Sequence, residues 1–113
     1  MSRAEFQLQV AENGDGSRPV EVTVTGEVDA SNVRAFARSV EELPGARPVI
    51  LQLSSIRYLD SAGFSALDRL LADDAILIVL APNSFMYRVA ELMCMPIHHD
   101  VEAARQVLQD DAS

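Results

Sequence analysis

Apolar and polar residues alternate with a two-residue period from Glu5 to Val10, where Phe6, Leu8 and Val10 stand against Glu5, Gln7 and Gln9. This is the pattern of a strand with one buried face. The alternation returns over Val20-Glu21-Val22-Thr23-Val24-Thr25, and Asn13-Gly14-Asp15-Gly16-Ser17 between the two runs holds two Asx-Gly pairs. The spacing predicts an antiparallel hairpin. After the loop Gly26 to Ser31, in which Asp29 or Ser31 is placed to cap a helix, the period changes. Val33, Phe36, Ala37, Val40 and Leu43 recur at helical intervals with Arg34, Arg38 and Glu41 on the other side, and Pro44-Gly45 ends the pattern.

Two nearly continuous apolar runs follow, Pro48 to Leu53 and Ala75 to Ala81. Runs of this length without alternation predict central strands covered on both faces. Between them, Leu67, Leu70 and Leu71 continue a helix that starts at Asp60-Ser61 and closes at Ala72-Asp73-Asp74. Beyond Pro82, Asn83 or Ser84 can cap a helix with Phe85 or Met86, Val89, Leu92 and Met93 on one side, ended by Pro96. Ile97-His98 is expected as a short edge strand. Asp100 is expected to cap a last helix with Val101, Ala104, Val107 and Leu108 inward. Strands that alternate with helices after an opening hairpin imply an α/β fold: a mixed, mostly parallel sheet with about four helices packed against it.

Composition narrows the function classes. At 113 residues the chain is expected to be one domain, with an ordered core at about 5–109 and a frayed polar tail. The formal charge is −8, and all nine basic residues are Arg, scattered singly from Arg3 to Arg105. A nucleic-acid or anionic-membrane surface needs a basic face, so neither partner is expected. The one cysteine, Cys94, rules out an internal disulfide and fits a cytoplasmic protein. The longest apolar run, Ala75 to Pro82, is far short of the roughly 20 residues of a membrane span.

The stretch with the most chemistry is Leu59-Asp60-Ser61-Ala62-Gly63-Phe64, at the carboxyl end of a buried strand and the amino end of a helix. Ligands and reactive groups gather at that edge of α/β sheets. Either Asp60 or Ser61 suffices to cap the helix, which leaves the other free. By itself this pattern supports a cap. Gly63, in the first turn, would also let a partner's backbone come close. An enzyme is not expected. The chain has no Gly-rich phosphate loop with a Lys, no residue placed to activate Ser61, and no Gly-x-Ser-x-Gly elbow.

Asp60-Ser61-Ala62-Gly63-Phe64, preceded by Leu51-Gln52-Leu53-Ser54, resembles the phosphorylation segment of STAS domains of the anti-sigma factor antagonist (anti-anti-sigma factor) type. Gly26-Glu27-Val28-Asp29 is similar to the Gly-Glu-Leu-Asp that closes that family's second strand, and element order agrees from about Phe6 to Leu108. The resemblance implies a domain that binds an anti-sigma factor serine kinase while unphosphorylated, freeing a sigma factor. It is then switched off by phosphorylation at Ser61 and reset by a serine phosphatase. It places Glu27, Asp29, Asp60, Ala62, Gly63 and Phe64 at the partner-binding surface, with Asp29 open between cap and contact. It implies no cofactor, and the chain is expected as a monomer or weak dimer. The alternative is a structural STAS subunit of a transporter or stress-sensing assembly that docks without phosphorylation. The sequence departs from the family pattern in Gln52 for the usual first Asp, Phe64 for Leu and Ser65 for a frequent Gly. The segment between the Ser61 helix and the Ala75 strand is also shorter than is common.

Other candidates carry less. His98 and His99 are adjacent and point apart, with no second ligand pair nearby, so they are expected at the surface or rim. Cys94, between Met93 and Met95, is expected in the core. Asn13 to Ser17 resembles a calcium loop only faintly, since Arg18 and Val24 stand where a glycine and the closing acid are needed.

Overall fold

A computed structural model describes residues 4–11, 19–44 and 46–112. The strands β1 (Phe6–Val10) and β2 (Pro19–Val28) pair antiparallel, Phe6 opposite Gly26 and Val10 opposite Val22. The turn expected at Asn13 to Ser17 lies outside the described residues. Helix α1 (Val33–Glu41) leads to β3 (Ala46–Gln52), β4 (Ile56–Leu59) and α2 (Ser61–Ala72), then to β5 (Ile76–Val79), α3 (Tyr87–Leu92) and α4 (Val101–Ala112). The sheet runs β1-β2-β3-β5, and every pairing beyond the first is parallel. The expected mixed, mostly parallel α/β fold with four helices is what forms.

Strand β4 is an addition to the elements expected from the sequence. It pairs with β2 on the side opposite β1 and so continues the lane of β3 after the turn Leu53–Ser55, where Ile56 N–H donates to the Leu53 carbonyl at 3.1 Å. The register steps from Gly26 opposite Ile56 to Glu27 opposite Tyr58 and skips Arg57. Arg57 is thus a bulge residue, and a bulge resets the two-residue period. Ile56 and Leu59 are both buried for that reason, and no alternation marks the strand.

One core gathers Val22, Val24, Val49, Leu51 and Ile78 of the sheet with Phe36 and Val40 of α1, Phe64, Leu67 and Leu70 of α2, and Ala90 of α3. Helix α4 covers the other face, its buried Ala104 against Ile50 and Val79. Strands β3 and β5 are therefore covered on both sides, as their unbroken apolar runs require. Asp100 caps α4 by accepting from Ala103 N–H at 2.7 Å, and Arg105 donates to Glu21 of β2. Val107, expected inward, is instead exposed.

Helix α2 ends in a reverse turn that makes its short connection possible. Asp74 takes a left-handed conformation (φ 55) while Asp74 and Ala75 donate to the carbonyls of Leu71 and Leu70. This is the Schellman arrangement usually built on glycine, and Asp tolerates it better than most residues.

Helix α3 differs from expectation in start and in phase. Ser84 folds back onto the Ala81 carbonyl through both its N–H and its hydroxyl, which delays the helix to Tyr87. Met86 and Ala90 are the inward pair. Phe85 (74% exposed), Val89, Leu92 (77%) and Met93 face outward. Cys94, expected in the core, is exposed at φ 57. It is the left-handed residue that closes α3, with Met95 N–H donating to Ala90 and Met95 turned inward in its place. The expected edge strand at Ile97-His98 is a single bridge between His98 and Val79.

Candidate functional site

Three segments meet where β2 and β4 end. Asp60 N–H donates to the Val28 carbonyl at 3.3 Å, extending the ladder by one residue before α2 begins. The Asp60 backbone is extended, and its carboxylate turns back so that Oδ1 accepts from Gly63 N–H at 3.0 Å. That bond satisfies one of the amides the first turn leaves unpaired. The other oxygen, Oδ2, accepts from Ala30 N–H at 3.2 Å. One carboxylate therefore caps α2 and ties it to the loop after β2.

With Asp60 as the cap, Ser61 is the first helical residue. Its side chain is exposed, and its hydroxyl makes no hydrogen bond to any described residue. It stands in the positive end of the helix dipole, next in the chain to the Asp60 carboxylate that caps the helix.

The loop after β2 is held by its own polar groups. Asp29 accepts from the Ser31 hydroxyl and from Ser31 N–H at 2.8 Å. The Ser31 hydroxyl, first, and the backbone N–H groups of Ser31 and Asn32 hold the Asp29 carboxyl below the usual carboxylate range, against a smaller opposing push from burial. Asn32 accepts from Asp29 N–H at 2.9 Å and donates to the Glu27 and Ala4 carbonyls at 2.9 and 3.0 Å. Neither Asp29 nor Ser31, the expected caps, caps α1. Asn32 occupies that position, and its side chain is committed to the loop instead. Glu27 lies 3.9 Å from Arg57 across the parallel pair, an exposed contact of small energetic weight.

The expected residues thus fall into two groups. Glu27, Asp29, Asp60, Ser61 and Ala62 come together at one edge, Ala62 half-buried. Gly63 and Phe64, expected at the contact surface, are buried. A Cβ on Gly63 would sit 2.4 Å from Leu59 Cδ1, so the glycine serves the close approach of α2 to the chain's own β4 and not to a partner. Phe64 is 4% exposed and packs in the core. The spacing of Phe64, Leu67 and Leu71 already places it on the inner stripe of α2. Residues that sequence reasoning passed over are Ala30, exposed and bonded to the Asp60 carboxylate, and Asn32, whose side chain holds the loop.

The turn that enters this edge is closed by side chains. Gln52 Oε1 accepts from Ser54 N–H at 2.9 Å and from its hydroxyl, and Ser54 Oγ accepts from Ala81 N–H at 2.8 Å. A glutamine carbonyl thus closes the turn.

Among the described residues no group of three His, Cys, Asp or Glu is placed to hold a metal. His99 instead lies 3.1 Å from the Tyr87 hydroxyl at the rim. No described helix is long and apolar enough to cross a membrane.

The double role of Asp60 has a measurable consequence. Asp60→Ala removes the α2 cap and the bond to Ala30 together, and is expected to lower stability by about 1–2 kcal/mol in urea unfolding. Asp60→Asn, which keeps one acceptor oxygen, recovers most of that loss. An alanine variant as stable as wild type would mean that the clamp has no structural weight.

A sequence model of the STAS domain family matches residues 8–80, well over half of the chain. Among solved structures, the fold is similar to that of an anti-sigma factor antagonist from Mycobacterium paratuberculosis, with a TM-score of 0.65 and 18% identity over 93% of this chain and 95% of that one. No curated protein sequence matches.

Proposed function

The chain belongs to the STAS domain family, and from that premise we propose that it is an anti-sigma factor antagonist switched off by phosphorylation at Ser61. The observation that carries the reading is the division of labour at the start of α2. Asp60 supplies the cap, so the Ser61 hydroxyl is exposed and without a structural task among the described residues. The name of the structural neighbour, an anti-sigma factor antagonist, supports the general role.

In the unmodified state, Ser61, Ala62 and Ser65 of α2, with Ala30 and Ser31 of the adjoining loop, form the face offered to an anti-sigma factor that is also a serine kinase. Gly63 and Phe64 set the position of that face from beneath. The kinase transfers the γ-phosphoryl group of ATP to Ser61 Oγ, which loses its proton, and ADP leaves. The phosphoryl group adds roughly −1.5 to −2 charges in the middle of the docked surface. The helix terminus tolerates that charge, but a partner's acidic groups do not, least of all beside Asp60 and Asp29 on a chain already at −8. Release follows, and a serine phosphatase restores the binding state.

The test is mass spectrometry after incubation with candidate anti-sigma factor kinases and ATP. A single phosphoryl group is expected on the peptide that contains Ser61, and none on Ser61→Ala. Modification at another residue, or none with the cognate kinase, would defeat the reading.

A further inference from the structure

The two outer edges of the sheet are not treated alike. Along β5 the segment after α3 adds a bridge, with Leu80 N–H donating to the His98 carbonyl and His98 N–H to Ile78, each at 2.9 Å. Along β1 no described residue pairs with the outer side. We propose that β1 is a pairing edge for a second copy of this chain, joined antiparallel about a two-fold axis at Leu8.

The hydrogen-bond parity sets the register. Glu27 N–H donates to the Glu5 carbonyl and Ala11 N–H to the Glu21 carbonyl, each at 2.8 Å, with Gln7 opposite Thr25 and Gln9 opposite Thr23. Residues 5, 7, 9 and 11 therefore turn their amides toward β2, and Phe6, Leu8 and Val10 turn theirs outward. A two-fold axis at Leu8 matches all of the outward groups. Leu8 exchanges two bonds with its copy, and Phe6 exchanges two with Val10 on each side of it. Axes one residue away leave an outward pair unmatched.

The strand also lacks the devices that keep edges apart. Phe6-Gln7-Leu8-Gln9-Val10 has no charge and no proline, and its register with β2 runs without a bulge. On a chain of net charge −8 it is a neutral stripe along which a like-charged copy can approach. Val10 is 42% exposed, and the copy's Phe6 would cover it. Phe6 is already fixed edge-on against Phe36, with ring centroids 5.5 Å apart. A single strand pair buries less than a standard interface of about 1,200–2,000 Å², so the association is weak and strengthens with salt as charge repulsion is screened.

Sedimentation equilibrium of the full chain, from micromolar to about 1 mM protein in about 50 mM and about 500 mM salt, provides the test. The weight-average mass is expected to rise above the 12.3 kDa monomer with concentration, and more at high salt. In the proposed register Gln7 of one copy faces Gln9 of the other, side chain to side chain. Gln7→Lys with Gln9→Lys puts like charges opposite each other twice and should weaken association at least tenfold, although it reduces the overall negative charge. Gln7→Glu with Gln9→Lys creates two opposite-charge pairs and should restore wild-type association or exceed it. Both positions are exposed, so folding is not at issue. A chain that stays monomeric throughout, or two double variants that associate equally, overturns the proposal. So does association that survives Gln7→Lys with Gln9→Lys but is lost in Leu92→Glu, which would place the contact on α3.

Discussion

Ser61→Asp is expected to weaken capture of the anti-sigma factor partner about 100-fold, close to 3 kcal/mol, while the protein's own stability stays within about 0.5 kcal/mol of wild type. The two effects separate because of where Ser61 sits. Its side chain is exposed and bonded to no described residue, so the substitution removes nothing from the fold. A carboxylate at the first helical position gains a few tenths of a kcal/mol from the helix dipole, offset by the neighbouring Asp60. At the interface the same carboxylate replaces a neutral hydroxyl with a charge that must be desolvated on docking. Ser61→Ala, neutral and smaller, should bind like wild type and be immune to the kinase. Calorimetric titration with the partner, beside urea unfolding of each variant, gives both quantities. Binding by Ser61→Asp within about threefold of wild type would sink the switch. If Ser61→Ala and Ser61→Asp both remained docked to a transporter or scaffold, the structural-subunit role would replace it.

Much of the candidate site is legible in the sequence, because the residues that make it act locally. A cap is a relation between a side chain and amides two or three residues on, so Asp60-Ser61 can be recognised from its neighbours alone. The element order is equally readable wherever burial imposes one period, as in the alternating β2 or the continuous runs of β3 and β5. What escapes is what depends on contacts far along the chain. Strand β4 is hidden because the bulge at Arg57 breaks its alternation. The turn of α3 is set by Ser84 folding onto Ala81, which rotates Phe85, Val89 and Leu92 outward and brings Met86 and Ala90 in. The bond from Ala30 to Asp60 spans thirty residues and leaves no local trace. Cys94 is misplaced for a similar reason, since a non-glycine residue closing a helix at positive φ has no marker in composition.

That long-range bond also explains why the Gly26-to-Asp29 motif belongs with Asp60-Ser61. The loop after β2 can hold Ala30 against the Asp60 carboxylate only if it leaves the strand in a fixed direction. Asn32 holds its far end, the Asp60 carboxylate holds its middle, and the bond from Glu27 N–H to the Glu5 carbonyl holds the strand end it leaves from. The site is a junction of two strand ends and one helix start, and its geometry depends on all three fixings.

The strongest test of that dependence is Gly26→Val. Gly26 has φ +94, a region that β-branched residues essentially do not adopt, and a Cβ there would lie 2.1 Å from the Glu5 carbonyl oxygen. The obstacle is backbone, which has no rotamer to change. It is also the acceptor for Glu27 N–H, so relieving the overlap breaks the bond that joins the start of β1 to the end of β2. Backbone strain of about 1–3 kcal/mol and a lost backbone bond of about 1 kcal/mol add to about 2–4 kcal/mol, which should lower the thermal midpoint by about 10 °C or more. Gly63→Ala is the control. Its Cβ would meet Leu59 Cδ1 at 2.4 Å and Cγ at 2.9 Å, side-chain atoms that can shift where a backbone carbonyl cannot. Alanine in a helix also gains nearly 1 kcal/mol over glycine, so the net loss should stay below about 2 kcal/mol. Thermal unfolding followed by circular dichroism ranks the pair. Gly63→Ala at or below the stability of Gly26→Val would mean that the approach of α2 to β4, and not the exit from β2, is the tighter constraint on the site.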